Sequence, residues 1–272
     1  MASLHLNKTE NDIFSGYSKL ETPEGRIEHK VEGSLLPKGF EELIKEYEKA
    51  FASKVTTWNY ILDEHNISSI KTKAILSPEQ IQNFLQATRK YEEHKRYSPN
   101  TGLFITRLIQ NSHDAGDNLF KLETRTLSKR IHFLGYNLQG KGNNLLEIIV
   151  DGNAGDSCGL RAKNLRKLYI QGDVGDDCSK CATNIDGIFI AGYCGEWCGY
   201  GAENIREFYL NGNVNVFGCG SKTKNSTFKT PNQETLQLLK KNVPTDKGNK
   251  IYFIKENSEE KRIWRLRDFL WI

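Results

Sequence analysis

Three cysteines recur at a spacing of twenty residues, each two positions after an acidic residue. They are Cys158, Cys178 and Cys198, in the stretches GNAGDSCG, GDVGDDCS and GYCGEWCG. Cys181 and Cys194 add the short spacings CSKC and CGEWC, which suit a zinc or iron–sulfur site. The three cysteines occupy the same position in successive repeats, which would instead place their thiols in a line. A buried cysteine in such a line acts as a small apolar side chain. We expect packing, with a metal site and a functional disulfide as the alternatives.

The acidic residues form a column of their own: Asp156, Asp176 and Glu196. Stacked one strand spacing apart, like charges repel by about 1 kcal/mol in water. Backbone N–H groups of the turns are the expected compensation, ahead of a bound cation or paired-carboxylate catalysis. The sequence contains no Walker loop, dinucleotide-binding fingerprint, nucleophile elbow or HExxH motif, and its six histidines lack ligand spacing.

The same period places short apolar runs between glycines and asparagines, which predicts a strand in each repeat. The runs are EIIV, KLYI, GIFI and EFYL. Alternation along each strand predicts two interior columns: Ile148, Leu168, Ile188, Phe208 and Val150, Ile170, Ile190, Leu210. It turns the residues between them outward: Ile149, Tyr169, Phe189 and Tyr209.

Glycine and asparagine columns mark the predicted turns. The glycines are Gly152, Gly172, Gly192 and Gly212, and the asparagines are Asn144, Asn164, Asn184 and Asn204. Glycine permits a positive φ or a close backbone approach. Asparagine tolerates the left-handed region, and stacked asparagine side chains can bond to one another.

Twenty residues are too few for a helix pair and suit one turn of a β-solenoid. The segments Gly152–Asp156 and Gly172–Asp176, with a looser copy at Gly192–Glu196, resemble the GXGXG-type β-helix repeat. That repeat occurs in the C-terminal domain of the large chain of glutamate synthase and in one component of formylmethanofuran dehydrogenase. The resemblance covers residues 146–220 and implies a right-handed solenoid that supports and packs against other domains, without catalytic residues. Ser179 departs from the pattern, because the third copy has Gly199 there.

We therefore predict an α+β fold, a right-handed β-solenoid with a helical N-terminal region and a C-terminal cap. Residues 1–30 are polar and aperiodic, which indicates loose order. Residues 31–117 carry helical periodicity, including the capping-box stretch SPEQ at Ser77. Residues 118–229 hold the strands, starting with LFKLETRTL. Residues 230–272 form the cap, a helix capped by Thr230 and then a hairpin.

The composition indicates a globular protein, with 38% hydrophobic and 26% charged residues in 272. Residues 146–216 carry six basic and ten acidic side chains, and residues 217–272 carry twelve basic and six acidic ones. This falls short of the strongly basic surface of a dedicated nucleic-acid binder. Without an apolar run of membrane-spanning length or a signal-peptide pattern, we expect a cytoplasmic protein with reduced thiols.

The sequence favours a non-enzymatic scaffold or interaction protein without a cofactor, whose partner is another protein or a second copy of the chain. The predicted binding residues are the aromatic ladder, defined as Tyr169, Phe189 and Tyr209, together with Arg262, Arg265 and Arg267. We expect the N-terminal helices to cover part of the ladder. An RNA- or ribosome-associated protein that binds through the basic C-terminal region is one alternative, and a Cys-ligated metalloprotein is another. Membrane association is not expected.

Overall fold

The structure is a computed structural model, and it describes residues 40–52, 70, 72–142, 144–215 and 217–254. All described residues belong to one compact unit, Leu36–Ile272. The prediction for residues 1–30 and the three predicted arginines lie outside the described residues.

Helices come before the strands, as the periodicity predicts. They are α1 (Phe40–Ala52), α2 (Pro78–Ala87), a 3₁₀ turn (Thr88–Tyr91) and α3 (Tyr97–Asp114). The predicted capping box at the start of α2 is confirmed: Gln80 N donates to Ser77 Oγ at 3.2 Å, and Ser77 N donates to Gln80 Oε1 at 2.9 Å. The two side chains thereby satisfy two N–H groups that the helix leaves open.

An aromatic cluster holds the three helices together. The Tyr47 ring of α1 lies 5.6 Å from Phe84 of α2 and 5.3 Å from Phe104 of α3. The Tyr47 hydroxyl shares a hydrogen bond of 2.6 Å with Thr101 Oγ1. A fully buried polar atom is therefore satisfied within the apolar contact.

The strands are β1 (Leu119–Glu123), β2 (Leu146–Asp151), β3 (Leu165–Ile170), β4 (Thr183–Ile190), β5 (Glu203–Leu210), β6 (Thr227–Thr230) and β7 (Lys250–Phe253). In the part of the chain that the structure describes, they form one sheet in sequence order, and every neighbouring pair is parallel. Leu168 pairs with Ile188, and Ile188 pairs with Phe208, so the register follows the twenty-residue period.

The predicted fold class, α+β with a right-handed β-solenoid, is wrong. The described strands form a single all-parallel sheet with helices beside it, which is an α/β-type arrangement. In a repeat of twenty residues, paired residues on neighbouring parallel strands lie twenty positions apart in the sequence. This holds both for an open sheet whose strands follow in sequence order and for a solenoid. The repeat therefore predicts the register and does not determine the class.

Both predicted interior columns are confirmed. All eight side chains are buried, with at most 1% exposure. Phe208 also stacks on Phe228 of β6, with ring centroids 5.2 Å apart. Apolar burial at these positions, at about 25 cal/mol per Å², is the main stabilising contribution within the sheet.

Asparagines at or just before the start of successive strands also bond to one another. Asn184 Nδ2 donates to Asn164 Oδ1 at 3.2 Å, Asn204 to Asn184 at 3.0 Å and Asn225 to Asn204 at 3.2 Å. All four have φ between 47° and 57°, in the left-handed region. The predicted role is confirmed for Asn164, Asn184 and Asn204, and Asn225, which the predicted column did not include, extends them; we call these four residues the asparagine row. Asn144 was predicted to belong to the column, but its Nδ2 donates to Gly116 O at 3.1 Å instead.

Gly172 shows why its column contains glycine. A Cβ there would collide with Asn153 Oδ1 and would lie 2.7 Å from Gly152 O. In this column a positive φ occurs at Gly152 and not at Gly172. Of the two predicted reasons, close backbone approach applies at Gly172.

The β1 edge of the sheet is closed by side chains of α2. Glu123 N donates to Gln82 Oε1 at 2.8 Å, and Gln86 Nε2 donates to Glu123 O at 2.8 Å. An unpaired parallel edge would otherwise expose these backbone groups to other chains. The described helices before the sheet thus pack at its β1 edge.

The β7 edge carries α4 (Gln233–Asn242) and a 3₁₀ turn (Thr245–Lys247). Asn232, and not Thr230, caps α4, since Thr235 N donates to Asn232 Oδ1 at 2.9 Å. Thr230 pairs with Phe253 of β7 as the last residue of β6, so it stays in the strand. Of the predicted hairpin, β7 runs parallel to β6, and the remainder lies outside the described residues.

The described helices include none with both the length and the apolar character needed to cross a membrane.

Candidate functional site

The repeated cysteines are fully buried, as the packing prediction requires. Ser179 N donates to Cys158 O, Gly199 N to Cys178 O and Gly220 N to Cys198 O, each at 2.8 Å. These bonds place Cys158, Cys178, Cys198 and Cys219 in one column, and the side chain of each is inaccessible to solvent.

Cys194 comes from a different column, which otherwise contains aliphatic side chains. It pairs with Val174 on one side and with Val214 on the other. Its sulfur joins those of Cys178 and Cys198, and the three Sγ atoms lie within 4.8 Å of one another. We call Cys178, Cys194 and Cys198 the thiol cluster.

The predicted line is confirmed for Cys158, Cys178 and Cys198, and the sulfur of Cys194 joins it from a neighbouring column. That prediction considered one cysteine in each repeat and did not take Cys194 into account. Cys194 and Cys198 both lie in the third repeat, and Cys178 lies in the second. Two columns thus meet in one group of soft sulfur donors.

Burial and mutual hydrogen bonding set the electrostatics of the thiol cluster. Desolvation raises the pKa of Cys194 and of Cys198 well above the ordinary value for a thiol. Hydrogen bonds from Cys194 and Cys198, with a smaller contribution from Ser179, lower the pKa of Cys178 against its own desolvation. Of the three thiols, Cys178 is therefore the one whose thiolate form the neighbouring S–H groups favour.

Ser179 also breaks the local pattern of the repeat. Its φ is 52°, where the matching residues Gly159, Gly199 and Gly220 have φ of 66–68°. A side chain in the left-handed region costs on the order of 1 kcal/mol relative to glycine. The buried Ser179 hydroxyl lies 3.8 Å from Cys178 Sγ, so a polar group adjoins the thiol cluster.

The acidic column is explained by backbone hydrogen bonds, as predicted. Asp176 N donates to Asp156 Oδ1 at 3.1 Å, and Glu196 N donates to Asp176 Oδ1 at 2.7 Å. His132 begins the column, because Asp156 N donates to His132 Nδ1 at 2.8 Å. The adjoining His132 side chain is the largest cause that lowers the pKa of Asp156. These contacts assign the column to turn structure.

The aromatic ladder lies on the strands where the alternation predicts it. Ring centroids are 6.5 Å apart for Tyr169 and Phe189 and 6.4 Å apart for Phe189 and Tyr209. Phe189, however, is only 7% exposed, because its ring lies over Gly187. The prediction of a continuous exposed strip is therefore wrong at its centre, and Tyr169 and Tyr209 are half-buried.

The expected cover of this ladder by the N-terminal helices is not seen for α2, and residues 31–39 and 53–69 of the predicted helical region lie outside the described residues. The described contacts of α2 with the sheet are on β1, whereas the ladder lies on β3, β4 and β5. The periodicity predicts the helices and the strands, but it carries no information about which edge or face they share.

A second aromatic surface was not predicted from the sequence. It consists of Trp197, Tyr200 and Phe217, which we call the tryptophan patch. Trp197 and Tyr200 meet edge to face at 5.1 Å, and Trp197 N donates to Phe217 O at 2.8 Å. Trp197 is 38% exposed and Phe217 is 62% exposed.

Two lysines adjoin the tryptophan patch. Lys180 Nζ lies 5.9 Å from the Trp197 ring centroid, and Lys222 Nζ lies 5.1 Å from that of Tyr200. The sequence signal for this patch is the clustering of tryptophan and tyrosine around Cys198 in GEWCGYG.

Comparisons with known proteins give no relative from which a function could be taken. No family model matches the chain, and neither does any curated protein or solved structure. The resemblance to GXGXG repeats therefore stays a prediction, and the functional argument rests on the described residues.

Proposed function

We propose that the protein is a non-enzymatic interaction protein and that it binds another protein through the tryptophan patch. The observation that carries this proposal is an exposed tryptophan already held in position. A Cβ at Gly218 would collide with Trp197 Cε3, so the indole packs closely on the backbone of the next repeat.

Pre-positioning matters because binding loses less side-chain entropy when a ring is already fixed. Tryptophan and tyrosine are also the residues that most often carry binding energy at protein interfaces. The contact with Tyr200 and the exposed Lys222 supports an amphipathic surface, whereas Lys180 is already paired with Asp177 at 2.7 Å. Such a surface suits a partner with apolar side chains and an acidic one near Lys222.

Reduced, unpaired cysteines support a location in the cytoplasm. All six cysteines are free, and such thiols are typical of proteins in a reducing compartment. The predicted RNA-binding role of Arg262, Arg265 and Arg267 remains an alternative. The crosslinking experiment described next can also detect RNA binding.

A photo-crosslinking amino acid placed at Phe217 tests the proposal in the native host. We expect one specific protein adduct, which Trp197→Ala reduces at least tenfold. A crosslinker at Tyr252, an exposed aromatic of β7 outside the patch, is the matched control and is expected to give no such adduct.

Adducts that are equal at both positions, or unaffected by Trp197→Ala, would contradict the proposal. Adducts with RNA that disappear as salt rises would favour the alternative, since phosphate contacts release counterions and weaken with salt.

A further inference from the structure

We propose that Cys178, Cys194 and Cys198 bind one soft monovalent metal ion, Cu(I), in a buried three-coordinate site between the segments that connect β3 to β4 and β4 to β5. Each Cu–S bond replaces an S–H bond, and the protons are released to the solvent. This inference goes beyond the proposed protein contact and does not depend on it.

The sulfur positions are close to those that a single ion needs. Three sulfurs bonded at about 2.3 Å to one ion in a plane lie about 4 Å apart. The three Sγ atoms are already within 4.8 Å of one another. A contraction of less than about 1 Å, within reach of χ1 adjustments, brings them to bonding distance.

The three sulfur atoms come together at only one place among the described repeats. Cys194 replaces the valine that its column has on both sides, at Val174 and Val214. The cysteine column passes beside it at Cys178 and Cys198. Valine fills this position in the neighbouring repeats, so packing alone does not require a cysteine at position 194.

The donor set and its burial favour Cu(I) over Zn²⁺. Thiolates select soft ions such as Cu(I) and Zn²⁺. Structural zinc almost always takes four ligands, and an open fourth position is filled by water. Among the described residues, three donors lie within 4.8 Å of one another. The buried thiol of Cys219 hydrogen-bonds to Cys198 but does not lie within that distance of all three, and each of the three cysteines is inaccessible to solvent.

Ser179 supplies a polar neighbour for a sulfur ligand. Its hydroxyl lies 3.8 Å from Cys178 Sγ in a position that its matching residues fill with glycine. Hydrogen bonds from such neighbours orient metal ligands and adjust their electron donation.

Anaerobic refolding of the full chain with Cu(I) tests the site, because a buried ion must enter during folding. Copper per chain is measured after competition with the chelator bicinchoninate. We expect one Cu(I) per chain, and at least a 100-fold loss of affinity in Cys194→Val. Valine already occupies this column on both sides, and melting of the metal-free variant checks that it folds.

Two matched variants separate the site from other thiols. Cys158→Ala removes an equally buried thiol of the same column, and Cys181→Ser removes the exposed one. Both should retain one Cu(I) per chain with affinity within about threefold of the wild type. Cys194→Ala, which is smaller and apolar, replaces Cys194→Val if that variant fails to fold.

A wild-type chain that refolds in the presence of Cu(I) but binds none would overturn the proposal. The thiols would then serve only in packing. Equal affinity in the Cys194 variant would overturn it as well. In a parallel refolding with Zn²⁺, a stoichiometric zinc ion that Cu(I) does not displace would overturn the choice of ion.

Discussion

The asparagine row and the thiol cluster belong to the same twenty-residue repeats, but the residue types in the two regions follow the repeat differently. From Asn164 to Asn225 each repeat makes the same side-chain bond to the next, with the same left-handed backbone. At the thiol cluster the column residues change type: Cys194 stands between two valines, and Ser179 stands among glycines. Positions that keep the same residue type in successive repeats stabilise the repeat structure. Positions where the residue type changes are the candidates for a local chemical role.

The largest expected effect concerns the regular part of the stack. Gly172→Val should lower the free energy of unfolding by about 3 kcal/mol, because its side chain would collide with Asn153 and with the backbone of Gly152. Urea unfolding measures the loss. Gly142→Ala is the control, since Gly142 has a positive φ but open space around it, and should lose about 1 kcal/mol. A loss below that of the control would contradict the close-approach assignment.

A smaller loss is expected in the asparagine row. Asn184→Ala removes bonds to Asn164 and Asn204 and leaves alanine at φ 55°. The expected loss is about 2 kcal/mol, from partly exposed hydrogen bonds and the left-handed backbone together. Asn184→Gly should recover about half of it. If both variants unfold at the wild-type denaturant midpoint, the row does not stabilise the stack.

The irregular part gives the smallest effect on stability. Ser179→Ala should be less stable than Ser179→Gly by about 1 kcal/mol, because only glycine adopts φ near 52° without strain. The comparison is made by thermal melting of the two metal-free variants. A more stable alanine variant would show that the backbone at this position is not strained.

The sequence predicts much of the sheet and little of the site. Period and alternation determine the strands, the two interior columns and the asparagine row, because each depends on local geometry repeated at a fixed offset. The fold class was wrong because that offset is common to two architectures. The thiol cluster depends on the distance between two columns, and the burial of Phe189 depends on the missing side chain at Gly187. Neither is encoded in a single strand pattern.

X-ray absorption at the copper edge of the Cu(I)-refolded chain tests most directly whether the thiol cluster is a metal site. The account predicts three sulfur neighbours around one copper and a loss of that sulfur shell in Cys194→Val. A first shell of nitrogen or oxygen, or an unchanged sulfur shell in the variant, would contradict it.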